Sequence, residues 1–257
     1  PCYENSKEAK TVHWPQFRGP GGSGVAEGFS TPTSWDVPAS RNVKWKTSIP
    51  GLGHSCPTIW GDRVFVTSAI SGRKEDSLKI GIYHEIAPVE NDGVHVWRLY
   101  CIDKATGKIL WERVCHKGIP KDKRHTKSSH ANCTPATDGR RVVSFFGSEG
   151  LYCHDMDGTL LWKKDFGILD AAFFRVPRAQ WGFASSPIIH EGVVLIQCDV
   201  LENSFLAALD LETGKVIWKK PRKDLPAWSS PAVHAEGNKT QVIVNGYRHI
   251  GGYDFRT

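Results

Sequence analysis

The chain has 257 residues and a formal net charge of +6, a length at which a single domain buries roughly 70–75% of its unfolded surface. It is 40% hydrophobic and 23% charged, with a mean hydropathy of −0.35 and no apolar run longer than a strand. That excludes a disordered chain, a collagen and a multi-span helical membrane protein. The 25 Gly and 15 Pro predict many turns. The single Met is Met156, so the chain reads as a processed or cut segment.

In chain order, residues 1–41 read as an N-terminal extension that packs on the fold. It carries Trp14-Pro-Gln-Phe-Arg-Gly-Pro20. Asn42 to Ile49, with Trp45, reads as an outer strand that opens the repeating part, residues 42–257. His54-Ser55-Cys56-Pro57 then precedes a strand–turn–strand run, followed by a polar insertion at about 71–92. Leu99–Trp111 reads LYCIDKATGKILW: an alternating apolar run, Asp103, a tight turn at Gly107, a second apolar run and a Trp. Alternation signals strands, and the Asp-x-x-Thr-Gly step signals a hairpin turn.

Lys121, Lys123, Arg124 and Lys127, with His125 and His130 nearby, read as a solvated basic loop. No nucleic-acid motif or aromatic interleaving accompanies them, so nucleic acid is not an expected partner. Asn132-Cys133-Thr134-Pro135 opens the next run. Leu151–Trp162 repeats the Asp–Gly–Trp pattern through Asp155 and Gly158, one residue shorter. Asp155-Met-Asp157 resembles the start of a calcium loop but sits where the hairpin turn belongs. The loop Phe173-Phe174-Arg175-Val-Pro-Arg178 is a candidate partner contact, since aromatics and Arg concentrate at binding hot spots. Ser185-Ser186-Pro187, Leu206–Trp218 with Asp210 and Gly214, and Ser229-Ser230-Pro231 complete the series. Gly252–Thr257 matches Ala208–Thr213, and the chain stops before the expected Gly and Trp.

The unit is therefore strand, turn, strand, loop, strand, Asp–Gly turn, strand, Trp. Pro135, Pro187 and Pro231 are 52 and 44 residues apart, close to known propeller periods of about 40–50. The predicted fold is an all-β propeller of four-stranded antiparallel blades, with about four blades present and the last cut at the C-terminus. The repeated Trp45, Trp111, Trp162 and Trp218 are expected to pack one blade on the next, each indole N–H finding a backbone acceptor.

In this architecture the inter-blade loops share one face. His54, Ser55, His130 and Asn132 are the expected residues at the channel mouth, joined by Gln180, Trp181, Ser185, Trp228 and Ser229. Polar groups with large aromatics at a concave mouth make a ligand or peptide site. The ordinary alternative is that the Ser and Asn side chains bond local backbone and the two Trp only pack. Of these residues His130 is the better functional candidate and Trp228 the better packing one. Glu85, Glu90 and Asp92 form a loose solvated acidic group. No catalytic group or metal set is expected. None of the seven cysteines forms a Cys-x-x-Cys pair.

The Asp-x-x-Thr-Gly-x-x-x-Trp unit resembles the PQQ-type β-propeller repeat. The resemblance covers about residues 14–257, including Asn42-Val-Lys-Trp45 and Gly51-Leu-Gly-His-Ser55. It points to the PQQ-binding-like propellers, the group that includes the outer-membrane assembly factor BamB. The resemblance implies a non-enzymatic scaffold or binding protein for protein–protein contact in the cell envelope, with no cofactor. It also implies an exported location, periplasmic or membrane-attached. Cys2 follows Pro1, whereas a mature lipoprotein begins with its Cys. The alternatives are a PQQ-dependent oxidoreductase, holding its quinone on the axis with calcium, or a ligand-sensing propeller. The dehydrogenases often carry a disulfide between adjacent cysteines. This sequence has no Cys-Cys pair and no recognisable Glu/Asn/Asp calcium set.

Overall fold

The computed structural model describes residues 13–28, 30–73, 88–89, 93–176 and 179–257. Cys2, Glu85, Glu90, Asp92, Arg178 and most of the polar insertion lie outside the described residues. The protein is a β-propeller of antiparallel blades, each a meander wound from the axis outwards. Blade 1 holds β1 (His13–Trp14), β2 (Thr58–Trp60), β3 (Arg63–Ser71), β4 (His95–Asp103) and β5 (Ile109–Gly118). Blade 2 holds β6 (Ala136–Thr137), β7 (Arg141–Phe145), β8 (Leu151–Asp155) and β9 (Leu160–Lys164). Blade 3 holds β10 (Ile188–His190), β11 (Val193–Cys198), β12 (Phe205–Asp210) and β13 (Val216–Pro221). Blade 4 holds β14 (Ala232–Glu236), β15 (Lys239–Asn245) and β16 (Ile250–Asp254).

The turn chemistry explains the hairpins. Asp103 Oδ1 accepts the Thr106 N–H at 2.7 Å and its hydroxyl at 2.6 Å. Asp210 treats Thr213 the same way, at 2.8 and 2.6 Å. These bonds hold both carboxyls below their ordinary pKa, the Thr hydroxyl contributing most. Asp155 caps its shorter turn through Asp157 and Thr159 N–H, so the turn reading of that segment holds.

Middle strands are buried on both faces because a blade lies on each side. Val194 and Ile196 pack towards blade 2, in one core with Val143, Phe145 and Cys153. Leu195, one residue out of phase, packs towards blade 4 with Val242 and Val244. The repeated Trp do what their spacing predicts. Trp111 Nε1 donates to Met156 O at 3.0 Å, Trp162 to Leu211 O at 2.8 Å and Trp218 to Phe255 O at 3.0 Å. Each acceptor follows the turn Asp of the next blade.

Two expectations need correction. Asn42–Ile49 is not a strand, because no neighbouring strand pairs with it. Trp45 nevertheless donates to Lys104 O at 2.8 Å, taking the same place against blade 1. The extension does more than pack on the propeller. His13–Trp14 pairs antiparallel with β2, and Pro15 O accepts the Thr137 N–H of β6 at 2.8 Å. Its continuation runs beside β14, where Gly22 faces Ala232.

Candidate functional site

The four pre-proline positions form one hydrogen-bonded series across the blades. Cys56 N–H donates to Thr134 Oγ1, Thr134 N–H to Ser186 Oγ, and Ser186 N–H to Ser230 Oγ, each at 2.9 Å. The hydroxyls bond the neighbouring blade, not their own local backbone as the ordinary reading held. Each accepts an N–H and retains its own O–H to donate.

Above this series lies a cavity of about 380 Å³. His54, Asn132, Trp181 and Trp228 line it, as do Thr134 and Ser186 of the series. Phe17, His125, Lys127 and Ser128 complete its wall. Trp181 and Trp228 stack with centroids 4.9 Å apart and planes 27° off parallel. Trp228 Nε1 donates to Gly182 O at 2.9 Å, tying the blade 3–4 loop to the blade 2–3 loop. Asn132 is a strut. Its Oδ1 accepts Ser129 N–H and hydroxyl, and its Nδ2 donates to Ser128 Oγ and Phe183 O.

Five predicted residues lie away from this cavity. Ser55 Oγ holds the Thr67 backbone of its own blade. Gln180 Nε2 donates to Asp170 Oδ1 at 3.0 Å and closes the 170–180 loop. Ser229 donates to Asn245 O at 2.6 Å. Ser185 is buried, at 1% exposure. His130 packs its ring against His95 and Trp97, and its carbonyl accepts Trp97 Nε1 at 3.0 Å. Burial, then His95 and Arg124, pushes the His130 pKa down to about 3, so the ring is neutral. It faces a separate, small cavity with Asp122 and Glu149.

The basic loop is not simply solvated. Arg124 is 1% and His125 3% exposed. The Arg124 guanidinium donates to Ser128 O at 2.8 Å and so folds the loop from within. His125 Nδ1 accepts the Lys127 N–H at 3.1 Å. Burial first, then Lys127, lowers its pKa. Sequence reasoning placed Lys127 and His125 in a surface cluster and chose residues one or two positions before Thr134 and Ser186. The usable signal was the pre-proline hydroxyl, present in three of the four landmarks.

Among the described residues, 51–57, 124–134, 171–176, 179–186, 225–231 and 245–249 frame this face and contain no aspartate or glutamate. They contain Lys127, Arg175 and Arg248, all exposed. No group of three or more His, Cys, Asp or Glu able to hold a metal occurs among the described residues.

The family profile of the outer membrane protein assembly factor BamB matches residues 97–257. A polyvinylalcohol dehydrogenase of a Pseudomonas species is 27% identical over 289 residues, covering 84% of this chain and 45% of that protein. The chain thus spans about half the length of that curated relative. Among solved structures, BamB from Moraxella catarrhalis is 14% identical with a TM-score of 0.40, over 83% of this chain and 64% of that one. The quinohemoprotein alcohol dehydrogenase of Comamonas testosteroni is 16% identical with a TM-score of 0.45, over 94% of this chain and 36% of that one. With the profile spanning more than half of the chain, from β4 of blade 1 through blade 4, this protein belongs to the PQQ-type β-propeller family of the assembly factor BamB.

Proposed function

We propose that this chain is a binding propeller of the cell envelope that acts without chemistry and takes an anionic ligand at its axial mouth. The observation that carries the reading is the composition of that mouth. Its wall is built from Thr134 and Ser186, the imidazoles of His54 and His125, Lys127 and two stacked indoles. Among the described residues, no carboxylate lines it. Charge-assisted donors beside apolar ring surface suit a carboxylate or a carbonyl attached to an apolar body. The periplasmic or exported location, and protein as the partner class, follow the BamB relatives and belong to the same proposal.

The rival reading is a quinone-dependent oxidoreductase, which the dehydrogenase relative raises. The described wall of this cavity favours the cofactor-free reading. A calcium ion takes six to eight oxygen ligands, with carboxylates prominent. The wall supplies none, and the Asn132 amide is spent on Ser128, Ser129 and Phe183.

The test is a titration with benzene-1,3,5-tricarboxylate, read by tryptophan fluorescence. Saturable quenching is expected, weakened about tenfold by Lys127→Ala and by high salt. Dye-linked oxidation of an alcohol after addition of the quinone and calcium would overturn the non-enzymatic reading.

A further inference from the structure

A row of aromatic rings leads out of the cavity. Trp228 stacks on Trp181, and Trp181 stacks on Phe173 at 5.7 Å with planes 15° apart. Phe173 meets Phe174 edge-on at 5.2 Å, and Phe174 meets Tyr247 edge-on at 4.8 Å. The row crosses from the blade 2–3 loop to the blade 4 loop and surfaces at Tyr247, which is 52% exposed. The exposed Arg175 sits over the Phe174 ring at 5.6 Å. The exposed Arg248 follows Tyr247. Two described carboxylates that bond these loops are engaged within the protein. Asp170 accepts Ala172 N–H and Gln180 Nε2. Asp224 accepts Leu225 and Arg248 N–H and pairs with Arg222.

We propose that the ligand is an extended, acidic polypeptide segment of a partner protein, which enters the cavity at Trp228 and runs along these rings to Tyr247. The proposal rests on the binding reading above and names its ligand class. Length is the first argument. The four centroid steps bound the row at about 20 Å, the reach of about six extended residues at ~3.3 Å each. Trp181 and Trp228 line the cavity, whereas Phe173, Phe174 and Tyr247 lie outside its wall, so a ligand that uses the whole row must extend beyond the cavity. Ring orientation is the second. Trp181 stacks with both Trp228 and Phe173, and the outer rings cross at 64° and 66°. Rings that cross in this way do not form one continuous flat face, and the row presents ring edges beside faces; edges carry positive charge and attract carboxylates, carbonyls and the faces of other rings. Sugar rings bind by lying flat on an open face, so the geometry favours peptide over polysaccharide. Charge is the third: among the described residues, the framing segments supply Arg175 and Arg248 and no carboxylate.

The test uses a fluorescein-labelled hexapeptide of alternating aspartate and phenylalanine, its lysine counterpart, benzene-1,3,5-tricarboxylate and an alginate oligomer. Anisotropy should show the acidic peptide binding about tenfold tighter than the tricarboxylate or the lysine peptide. Tyr247→Ala and Arg175→Ala, both at exposed positions, should each weaken the acidic peptide about threefold and leave the tricarboxylate unchanged. Melting curves of both variants should overlay the wild type. If the tricarboxylate binds but the peptide binds no tighter, the row is packing and this inference falls while the cavity reading stands. Tighter binding of alginate than of peptide, lost in Tyr247→Ala, overturns it in favour of a polysaccharide. If none of the probes binds, the cavity reading itself fails, and the inference with it.

Discussion

The blade-to-blade latch can be tested at Gly214, the turn glycine of β12–β13. Its φ is +68°, and a Cβ placed there would lie 2.6 Å from Trp162 Cδ2. Gly192, in the β10–β11 turn of the same blade, has φ +74° and nothing within 4 Å of its Cβ position. Gly192→Ala should therefore cost only the left-handed backbone term, about 1–2 kcal/mol. Gly214→Ala carries the same term and must also push the indole aside. That weakens the 2.8 Å bond from Trp162 Nε1 to Leu211 O, worth about 1 kcal/mol. It also uncovers part of a ring whose complete truncation would cost about 3–5 kcal/mol. The expected total is about 3–5 kcal/mol, so the two alanines should differ by about 2–3 kcal/mol in equilibrium urea unfolding. On a Trp162→Ala background, Gly214→Ala should fall back to about 1–2 kcal/mol, because the obstruction is gone. Equal costs for the two glycines, or no coupling to Trp162, would refute the latch.

Three further outcomes follow from the same geometry. Trp228→Ala should lower stability by about 3 kcal/mol and abolish tricarboxylate quenching, because the residue both stacks on Trp181 and lines the cavity; melting and titration of one sample check both. Burial pushes the Glu149 carboxyl up to about 7 and Asp122 likewise to about 7. A folded pKa raised above the unfolded value means stability is full below about pH 4 and falls as pH rises through about 7. Glu149→Gln should remove about half of that fall, gaining about 3 kcal/mol over wild type at about pH 8 and nothing at about pH 4, as denaturation at the two pH values will show. Asp199, with a fully buried side chain, pairs with Arg222 Nε at 2.6 Å. Asp199→Ala should cost about 2–3 kcal/mol in chemical denaturation by removing one of the two carboxylates that hold the Arg222 guanidinium, and Arg222→Met on the same background should not restore it, because the buried Asp224 then loses its cation as well.

The blades were legible because their information is local. An Asp, a Thr and a Gly within five residues fix a turn, and alternation on both sides fixes the strands that the turn joins. What failed was pairing at long range. Val43, Trp45 and Ile49 carry strand-like spacing, but a strand exists only where a partner edge is free to bond it, and none is paired there. His13–Trp14 is the opposite case. Two residues have no readable period, yet they form a strand because β2 offers its edge and Trp60 stacks on His13 at 4.1 Å. The Trp signal survived both failures, because a bulky ring seeks the turn of the neighbouring blade whether or not its own backbone is extended.

The mouth was half legible, and the reason lies in how one side chain serves two neighbours. Thr134 and Ser186 read as ordinary strand-entry residues, because their bond partners lie in the next blade, 52 and 44 residues further on. A hydroxyl that accepts an N–H from one blade spends a lone pair and keeps its proton. The series that registers the blades is thus also the series that leaves donors at the cavity. Cys56 holds the first position of that series, where a thiol is only a weak donor and acceptor. A Cys56→Ser change would extend the hydroxyl row by one donor. The same logic explains Arg124. Its place in a run of basic residues suggests solvent, but its guanidinium turns inward to bond Ser128 O and so sets the loop that carries His125 and Lys127 to the cavity wall. In both places the sequence displays a residue type, and the fold decides which of that residue's bonds face the protein and which face a ligand.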